Sequence, residues 1–354
     1  MEEKLRLYME QQELDGFFIR GHQNVRYISG YTSDDACLLI TKDKQYLITD
    51  PRYTEHASKE CPSYTIVNWK TLASSVGGCA ARLAEEDALK RVGFEKDLVT
   101  LSFYEGLTEA ASVEWAGTCG VVEQFRSIKT PEEIAKLEAA CDIASRSFER
   151  IIKDIRVGVT EKELASRLSH YMVLEGADTQ PYGNILISGA RTSLLHGIPS
   201  GKAVEYGDLV LMDYGCQYQG YMSDMTRTVI VGKASARQRE VYELEKRMVE
   251  KCEAMMKAGV LGKEVYEVSA SVIRDTEYFP YHYNGIGHGI GLFVHEVPFM
   301  NPKQEAPLLA GQVVTIEPGI YIPGWGGIRI EDQLLITESG CRNLVSATRE
   351  LIEL

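Results

Sequence analysis

The sequence predicts an N-terminal α/β domain over residues 1–125 and a C-terminal α+β domain with two related halves over residues 126–354. Three observations lead to this prediction. The first part alternates helix-like and strand-like segments, a strong helix start follows at Thr130, and the remainder contains a short repeat. A chain of 354 residues, 44% of them apolar, is long enough for two packed cores.

Elements of both types are predicted within the N-terminal domain. In chain order they are a helix over 2–14, a strand over 16–19, a hairpin from 36–40 and 46–49, a helix over 71–90 and a strand over 91–94. The helices follow from apolar residues at helical spacing, and the strands from short apolar runs bounded by turn residues. This mixture is typical of a small α/β domain.

The boundary between the domains is marked by a helix start. Thr130 is a good N-cap, Pro131 suits the first helical position, and Glu133 completes a capping box, so a helix is expected from here to about Ile155. Thr160 and Glu163 form a second capping box and predict another helix.

A weak internal repeat divides the C-terminal domain. Residues 157–164 resemble residues 258–265, which lie 101 positions later. Each copy follows a long predicted helix, opens another, and precedes a glycine-rich stretch of strands. Two related halves would place a binding site at their interface, which is a common location for one.

Composition limits the partners and the compartment. A net charge of −13 argues against nucleic acid or anionic lipid as the main partner. The 8 cysteines form no closely spaced pair and are interpreted as reduced thiols. The N-terminal residues lack the basic and apolar regions of a signal peptide, and no apolar run approaches a membrane span, so we expect a cytoplasmic protein.

Two carboxylates end neighbouring apolar strands. Residues 209–215 form an apolar run that contains Asp213, and residues 221–229 return as a second predicted strand with Asp224. A turn within 215–220 would bring the two aspartates close together. Because two buried carboxylates side by side are costly without a counter-charge, a divalent metal is the expected companion.

The second half repeats the pattern of a predicted strand that carries a carboxylate. Glu317 ends an apolar strand 104 residues after Asp213, and Glu331 lies 107 residues after Asp224. Between them His288 sits among four glycines, where the backbone can approach a ligand closely.

A single acidic residue at a strand end is usually a turn former, but four such carboxylates and the glycine-flanked His288, in order, indicate one site. Four carboxylates and an imidazole suit Mn²⁺, Co²⁺, Fe²⁺ or Zn²⁺. Two such cations, about 3.5–4 Å apart, can hold a hydroxide between them.

These motifs resemble the pita-bread metallopeptidase family of methionine aminopeptidase, aminopeptidase P and prolidase. The matching segments are 211–215, 223–228, 287–291, 315–319 and 327–332. Residues 1–125 resemble the creatinase-type N-terminal domain that aminopeptidase P and prolidase carry. The resemblance covers most of the chain and implies a pita-bread catalytic domain.

The resemblance also implies the roles of particular residues. The implied ligands of two divalent metals, with Mn²⁺ expected and Co²⁺, Zn²⁺ or Fe²⁺ as alternatives, are Asp213, Asp224, His288, Glu317 and Glu331. Asp224 and Glu331 would bridge the metals, and Glu317 would also exchange a proton with the bridging water. His295 would stabilise the tetrahedral intermediate, His196 would lie near the substrate, and Arg329 would support the site. A homodimer is expected.

The activity implied is hydrolysis of the first peptide bond of Xaa-Pro peptides. One departure bears on the proline pocket: the family usually carries a His four residues before the metal-binding His, and this position is Asn284, with His282 two residues away. A changed amide specificity is therefore an alternative.

Further alternatives are a prolidase restricted to Xaa-Pro dipeptides, a non-peptidase enzyme such as creatinase, and a metal-free binding module. Creatinase and the metal-free modules of this family lack some of the five metal ligands, whereas this chain retains all five.

Overall fold

The computed structural model describes residues 1–109, 112–179 and 183–354, which divide into the units Met1–Arg126 and Ser127–Leu354. Each unit has its own apolar core, one formed by residues between 18 and 115 and the other by residues between 209 and 336. The expected combination of an α/β unit with an α+β unit is confirmed.

The N-terminal unit is a mixed sheet flanked by helices. Its strands are β1 (Gly16–Ile19), β2 (Ala36–Thr41), β3 (Gln45–Thr49), β4 (Thr65–Asn68), β5 (Arg91–Glu95) and β6 (Glu114–Thr118). Its helices are α1 (Glu2–Gln11), α2 (His22–Ser29), α3 (Thr54–Glu60), α4 (Val76–Glu86), α5 (Leu101–Leu107) and α6 (Val121–Ser127). The sheet order is β4-β3-β2-β1-β5-β6, and the expected hairpin is the antiparallel pair β2–β3.

The helix expected over 71–90 was predicted too long. A short 3₁₀ turn, Trp69–Thr71, comes first, and α4 begins only at Val76. The hydroxyl of Ser75 accepts a hydrogen bond from Gly78 N, so Ser75 acts as the N-cap and fixes this start. At the other end α4 stops at Glu86, and the chain turns into β5.

The C-terminal unit contains four antiparallel groups of strands. The strands are β7 (Ile185–Ser188), β8 (Leu209–Tyr214), β9 (Gln217–Tyr218), β10 (Tyr221–Met222), β11 (Met225–Ile230), β12 (His288–Gly289), β13 (Glu296–Phe299), β14 (Val313–Ile316), β15 (Gly319–Ile322), β16 (Gly326–Arg329), β17 (Asp332–Ile336) and β18 (Cys341–Asn343). The helices are α7 (Pro131–Ile151), α8 (Glu161–Leu174), α9 (Ala236–Met255) and α10 (Gly262–Ile273). In the described residues the sheet orders are β11-β8-β7, β13-β12-β14-β17-β18, β9-β10 and β15-β16.

Each half of this unit repeats one sequence of elements. The first half runs from α7 and α8 to the antiparallel pair β8–β11, and the second from α9 and α10 to the antiparallel pair β14–β17. The capping boxes predicted at the starts of α7 and α8 are confirmed. At the start of α10 the Glu264 carboxylate likewise accepts a hydrogen bond from Leu261 N.

The strand expected over 221–229 is two strands. β10 pairs with β9, β11 pairs with β8, and Asp224 lies in the break between them. The break releases Asp224 from the β8–β11 ladder, so its backbone N–H donates to Gln333 Oε1 at 3.1 Å.

The two halves are joined by a buried arginine. Arg227 on β11 is 1% exposed, and its side chain donates to the carbonyl oxygens of Thr226, Glu331, Ala347 and Thr348 and to Asp332 Oδ1, at 2.6–2.8 Å. All five guanidinium N–H groups therefore find an acceptor. The backbone beside Glu331 is fixed against β11 as a result.

None of the helices in the described segments is both long and apolar enough to cross a bilayer.

We expect Arg227→Met to lower the free energy of unfolding, measured with a metal chelator present, by about 3 kcal/mol, because Asp332 Oδ1 and several buried carbonyl oxygens lose this donor and only Arg349 still pairs with Asp332. Differential scanning calorimetry checks this. Arg274→Met is the control, since Arg274 pairs with Glu267 at the surface and such pairs contribute about 0–1 kcal/mol. Equal melting of the two variants would contradict the anchoring role.

Candidate metal centre and active site

Three buried side chains form the centre of the site. Potential ligand atoms of Asp224, His288 and Glu331 lie within 4.8 Å of one another, and this is the only such group found among the described residues. Asp224 comes from the first half, and His288 and Glu331 from the second. The carboxylates and the imidazole predicted from distant motifs therefore meet where the halves join.

Close backbone packing explains the glycines around His288. A Cβ on Gly287 would lie 2.3 Å from Thr315 O, and one on Gly289 would lie 2.2 Å from Val297 O. Gly287 also has φ +156°. Since no larger residue fits between these strands, glycine on both sides lets β12 run between β13 and β14 and present His288 to the site.

His288 lies between two carboxylates. Its Nε2 is 3.2 Å from Glu317 Oε1 and 3.8 Å from Asp224 Oδ2, while Nδ1 lies 3.0 Å from Gly289 O. Burial by itself would lower the pKa of His288, but the hydrogen bond and charge of Glu317 and the charge of Asp224 raise it to about 9. Burial would raise the pKa of Glu317, but His288 more than offsets this and the pKa is lowered.

Glu331 is the most deeply buried carboxyl of the site. It is 1% exposed; Oε2 accepts a hydrogen bond from the Thr226 hydroxyl at 2.8 Å, and Oε1 has no partner among the described residues. Burial raises its pKa well above the usual range, and the charge of Asp224 raises it further. A buried, oxygen-rich donor set with a carboxylate oxygen left over, Glu331 Oε1, fits a divalent cation.

Arg329 connects the remaining carboxylate to the site. Its guanidinium donates to Asp213 Oδ2, to Tyr321 Oη at 2.6 Å and to Thr226 Oγ1 at 3.1 Å. Burial raises the pKa of Asp213, and Arg329 opposes this effect. Asp213 lies opposite Thr226 in the β8–β11 ladder, so the arginine reaches across the junction of the halves.

A cavity of about 730 Å³ opens onto these groups. The site residues predicted from the sequence that line it are Asp213, Asp224, His288, Glu317, Arg329, His196 and His295. Glu331 is not among the lining residues. The His295 ring stands edge-on to His288, with 4.5 Å between ring centroids, and both His196 and His295 are exposed. The structure thus brings all eight predicted residues to the cavity or to the cluster beside it.

Several supporting residues were not predicted. Thr226 joins Glu331 to Arg329, Tyr321 accepts from Arg329, and Gln333 holds the backbone of Asp224. The sequence signal for Thr226 was weak, because Arg227 and Thr228 of the same buried strand are polar as well. Tyr321 and Gln333 contact residues that are distant in sequence or on another strand, which local pattern does not reveal.

A buried ion pair supports the segment that carries His295. Lys129 Nζ lies 3.1 Å from Glu296 Oε2, and the two side chains are 1% and 5% exposed. Glu296 Oε1 also accepts a hydrogen bond from Phe293 N at 3.0 Å. Because Glu296 adjoins His295, the pair fixes the backbone on both sides of that histidine.

The buried carboxylates and histidine, supported by two related halves and opening onto a cavity, define a metal-dependent enzyme. Comparison with known proteins agrees. The model of metallopeptidase family M24 matches residues 135–338, and that of the creatinase/prolidase N-terminal domain matches residues 2–128. The chain therefore belongs to metallopeptidase family M24 and is an enzyme.

Individual relatives match over nearly the whole chain. A Bacillus subtilis protein described as an uncharacterized peptidase is 39% identical over 99% of both chains. The structure of an Xaa-Pro dipeptidase from Bacillus anthracis is 37% identical, with a TM-score of 0.95, covering 100% of this chain and 99% of that one. That of an X-Pro aminopeptidase from Thermotoga maritima is 33% identical, with a TM-score of 0.90, covering 98% and 100%.

We expect Mn²⁺ to raise the melting temperature of the protein above its value in EDTA. Glu331→Gln should abolish most of this increase. A ligand at 100 to 1,000 times its Kd stabilises a protein by about 3–4 kcal/mol. Without metal, Glu331→Gln should melt at or above the wild-type temperature, because glutamine cannot become charged beside the buried Asp224 carboxylate. Scanning fluorimetry with EDTA and with Mn²⁺ measures both effects.

Glu245→Gln is the matched control for that measurement. Glu245 is 0% exposed, burial raises its pKa well above the usual range as it does for Glu331, and it lies outside the proposed ligand set, so Glu245→Gln makes the same exchange away from the metal centre. The Mn²⁺ shift should survive in this variant. If Glu331→Gln kept the full Mn²⁺-dependent increase in melting temperature, Glu331 would not be a metal ligand.

We expect Lys129→Met to lower kcat about tenfold or more while retaining most of the Mn²⁺-dependent melting shift, because the His295 segment loses its anchor and the metal centre does not. Steady-state kinetics and fluorimetry on the same preparation separate the two effects. Lys257→Met, at an exposed position, is the control. If Lys129→Met lost the Mn²⁺-dependent melting shift as well as kcat, the substitution would have damaged the C-terminal unit as a whole.

Proposed function

We propose that this metallopeptidase hydrolyses the N-terminal peptide bond of Xaa-Pro peptides in the manner of aminopeptidase P. The observation that carries the proposal is the cluster of Asp224, His288 and Glu331, which adjoins a cavity large enough for a short peptide. Proline specificity is supported by the Bacillus anthracis and Thermotoga maritima structures, whose names give Xaa-Pro and X-Pro substrates.

The residues that would hold the cofactor are Asp213, Asp224, His288, Glu317 and Glu331. Their oxygen-rich chemistry favours two divalent cations, with Mn²⁺ first and Co²⁺, Zn²⁺ or Fe²⁺ as alternatives. When bound, such cations polarise the scissile carbonyl and make hydroxide available near neutral pH. Metal analysis of the purified protein tests identity and number, and light scattering tests the proposed homodimer.

The protein's own side chains then guide the proton transfers. Burial keeps the pKa of His295 below the ordinary histidine value, so a neutral ring can donate one N–H to the developing oxyanion. Glu317 receives a proton as water attacks and delivers it to the leaving nitrogen, which in an Xaa-Pro bond is that of proline.

Two further residues act by position. Arg329 keeps Asp213 oriented through the hydrogen bond described above. His196 lies on the cavity wall and would contact the bound peptide.

A dipeptidase restricted to Xaa-Pro is the second candidate. It is favoured by the name of the Bacillus anthracis structure, which shares 37% identity with this chain. The two candidates use the same metal centre and differ only in whether the cavity accepts residues beyond proline.

A matched substrate panel tests the proposal. With Mn²⁺ present, we expect hydrolysis of Leu-Pro-Gly and little of Leu-Ala-Gly, and the product Leu is quantified by chromatography. Asp213→Ala should reduce turnover by a factor of about 10³ or more, since it removes a proposed ligand.

The outcomes discriminate between the candidates. Cleavage of Leu-Pro but not of Leu-Pro-Gly would establish the dipeptidase. Failure to cleave any proline substrate in a protein shown to contain metal would reject both candidates and point to another amide.

A further inference from the structure

The segment at the position of the expected family histidine is tied to helix α10. The Asn284 side chain accepts a hydrogen bond from Tyr266 Oη at 3.0 Å, and His282 Nε2 lies 2.8 Å from Ser269 Oγ. Tyr266 and Ser269 are three residues apart and so share one face of α10. Both neighbours of Tyr283 are thus fixed to the same helix face.

This attachment determines where Tyr283 points. His282 has extended backbone angles, φ −76° and ψ 130°, and successive side chains of an extended segment face opposite ways. With residues 282 and 284 directed to α10, the Tyr283 ring is directed away from it and lines the active-site cavity. A Cβ on Gly285 would lie only 3.1 Å from the ring, so Tyr283 covers that glycine.

The wall around Tyr283 is apolar and exposed. Tyr283 is 52% exposed, and Phe299 and Ile198, which line the same cavity, are 40% and 80% exposed. Asn284, in contrast, is not among the lining residues. An apolar group of the substrate that covers these exposed side chains removes apolar surface from water, and this favours binding beside the hydrolytic centre.

We propose that Tyr283 is a specificity-determining residue that binds an apolar group of the substrate next to the scissile bond. The proposal rests on the proposed function, because it assigns the group to an Xaa-Pro peptide. That group is either the side chain of the first residue or the proline ring. The aromatic face supplies the contact, and the anchoring of His282 and Asn284 to α10 keeps the ring in place.

Kinetics on two substrate series test this assignment. We expect Tyr283→Ala to raise KM for Leu-Pro-Gly about tenfold with kcat nearly unchanged, and Tyr283→Phe to behave like the wild type. A larger loss for Leu-Pro-Gly than for Gly-Pro-Gly would place the ring against the first side chain. An equal loss for both would place it against proline.

Tyr281→Ala is the matched control, because Tyr281 is 37% exposed and does not line the cavity. It should leave KM unchanged. Tyr266→Phe removes the hydrogen bond to Asn284 and should raise KM less than Tyr283→Ala does. Unchanged KM in Tyr283→Ala, or an equal rise in Tyr281→Ala, would overturn the assignment.

Binding separates this inference from the proposed function. Calorimetry of Leu-Pro-Gly with the chelated full-length protein requires no turnover, and Tyr283→Ala should weaken binding about tenfold. If the metal-loaded wild type cleaves no Xaa-Pro peptide, the proposed function fails. Equal binding by wild type and Tyr283→Ala overturns the inference whether or not the enzyme is active.

Discussion

The concentration of negative charge at the junction of the two halves is the constraint on which the C-terminal unit depends. Asp224 and Glu331 are almost fully buried, and Glu317 and Asp213 lie beside them. Burial and mutual repulsion both oppose ionisation of such groups, which is why the pKa of Glu331 is raised so far. Arg329 and His288 supply part of the counter-charge, and a divalent cation would supply more.

The fold holds these groups in place through rigid elements of both halves. β11 carries Arg227, whose donors fasten the backbone of Glu331, and Glu331 N donates in turn to Thr226 O at 3.1 Å. The break before β11 frees Asp224 to enter the cluster, and the glycines beside His288 allow three strands to approach closely. Because most of the cluster comes from strands and their ends, small movements of surface loops should disturb it little.

The groups that would meet the substrate are held differently. His196, His295 and Tyr283 lie outside the strands, and contacts of neighbouring residues hold the segments of His295 and Tyr283. The Lys129–Glu296 pair fixes the segment of His295, and α10 fixes the residues on either side of Tyr283. Loops that border a rigid centre can change substrate preference while the ligand set stays the same. Asn284, turned towards α10, lies in a loop of this kind.

The sequence by itself determined the two-unit organisation, most element starts and the residues of the cluster, because these depend on local signals. Capping boxes, glycines around His288 and apolar runs that end in a carboxylate are each visible within a few residues. Only the tertiary structure decided how the signals combine. The contacts of Arg227 with Glu331 and of Arg329 with Asp213 join residues about 100 positions apart. The direction of Tyr283 follows from what its neighbours bind on α10. The helix expected over 71–90 ends early with Asp87 as its C-cap, whose carboxylate binds Lys44 and Tyr46, and helix propensity does not encode such distant contacts.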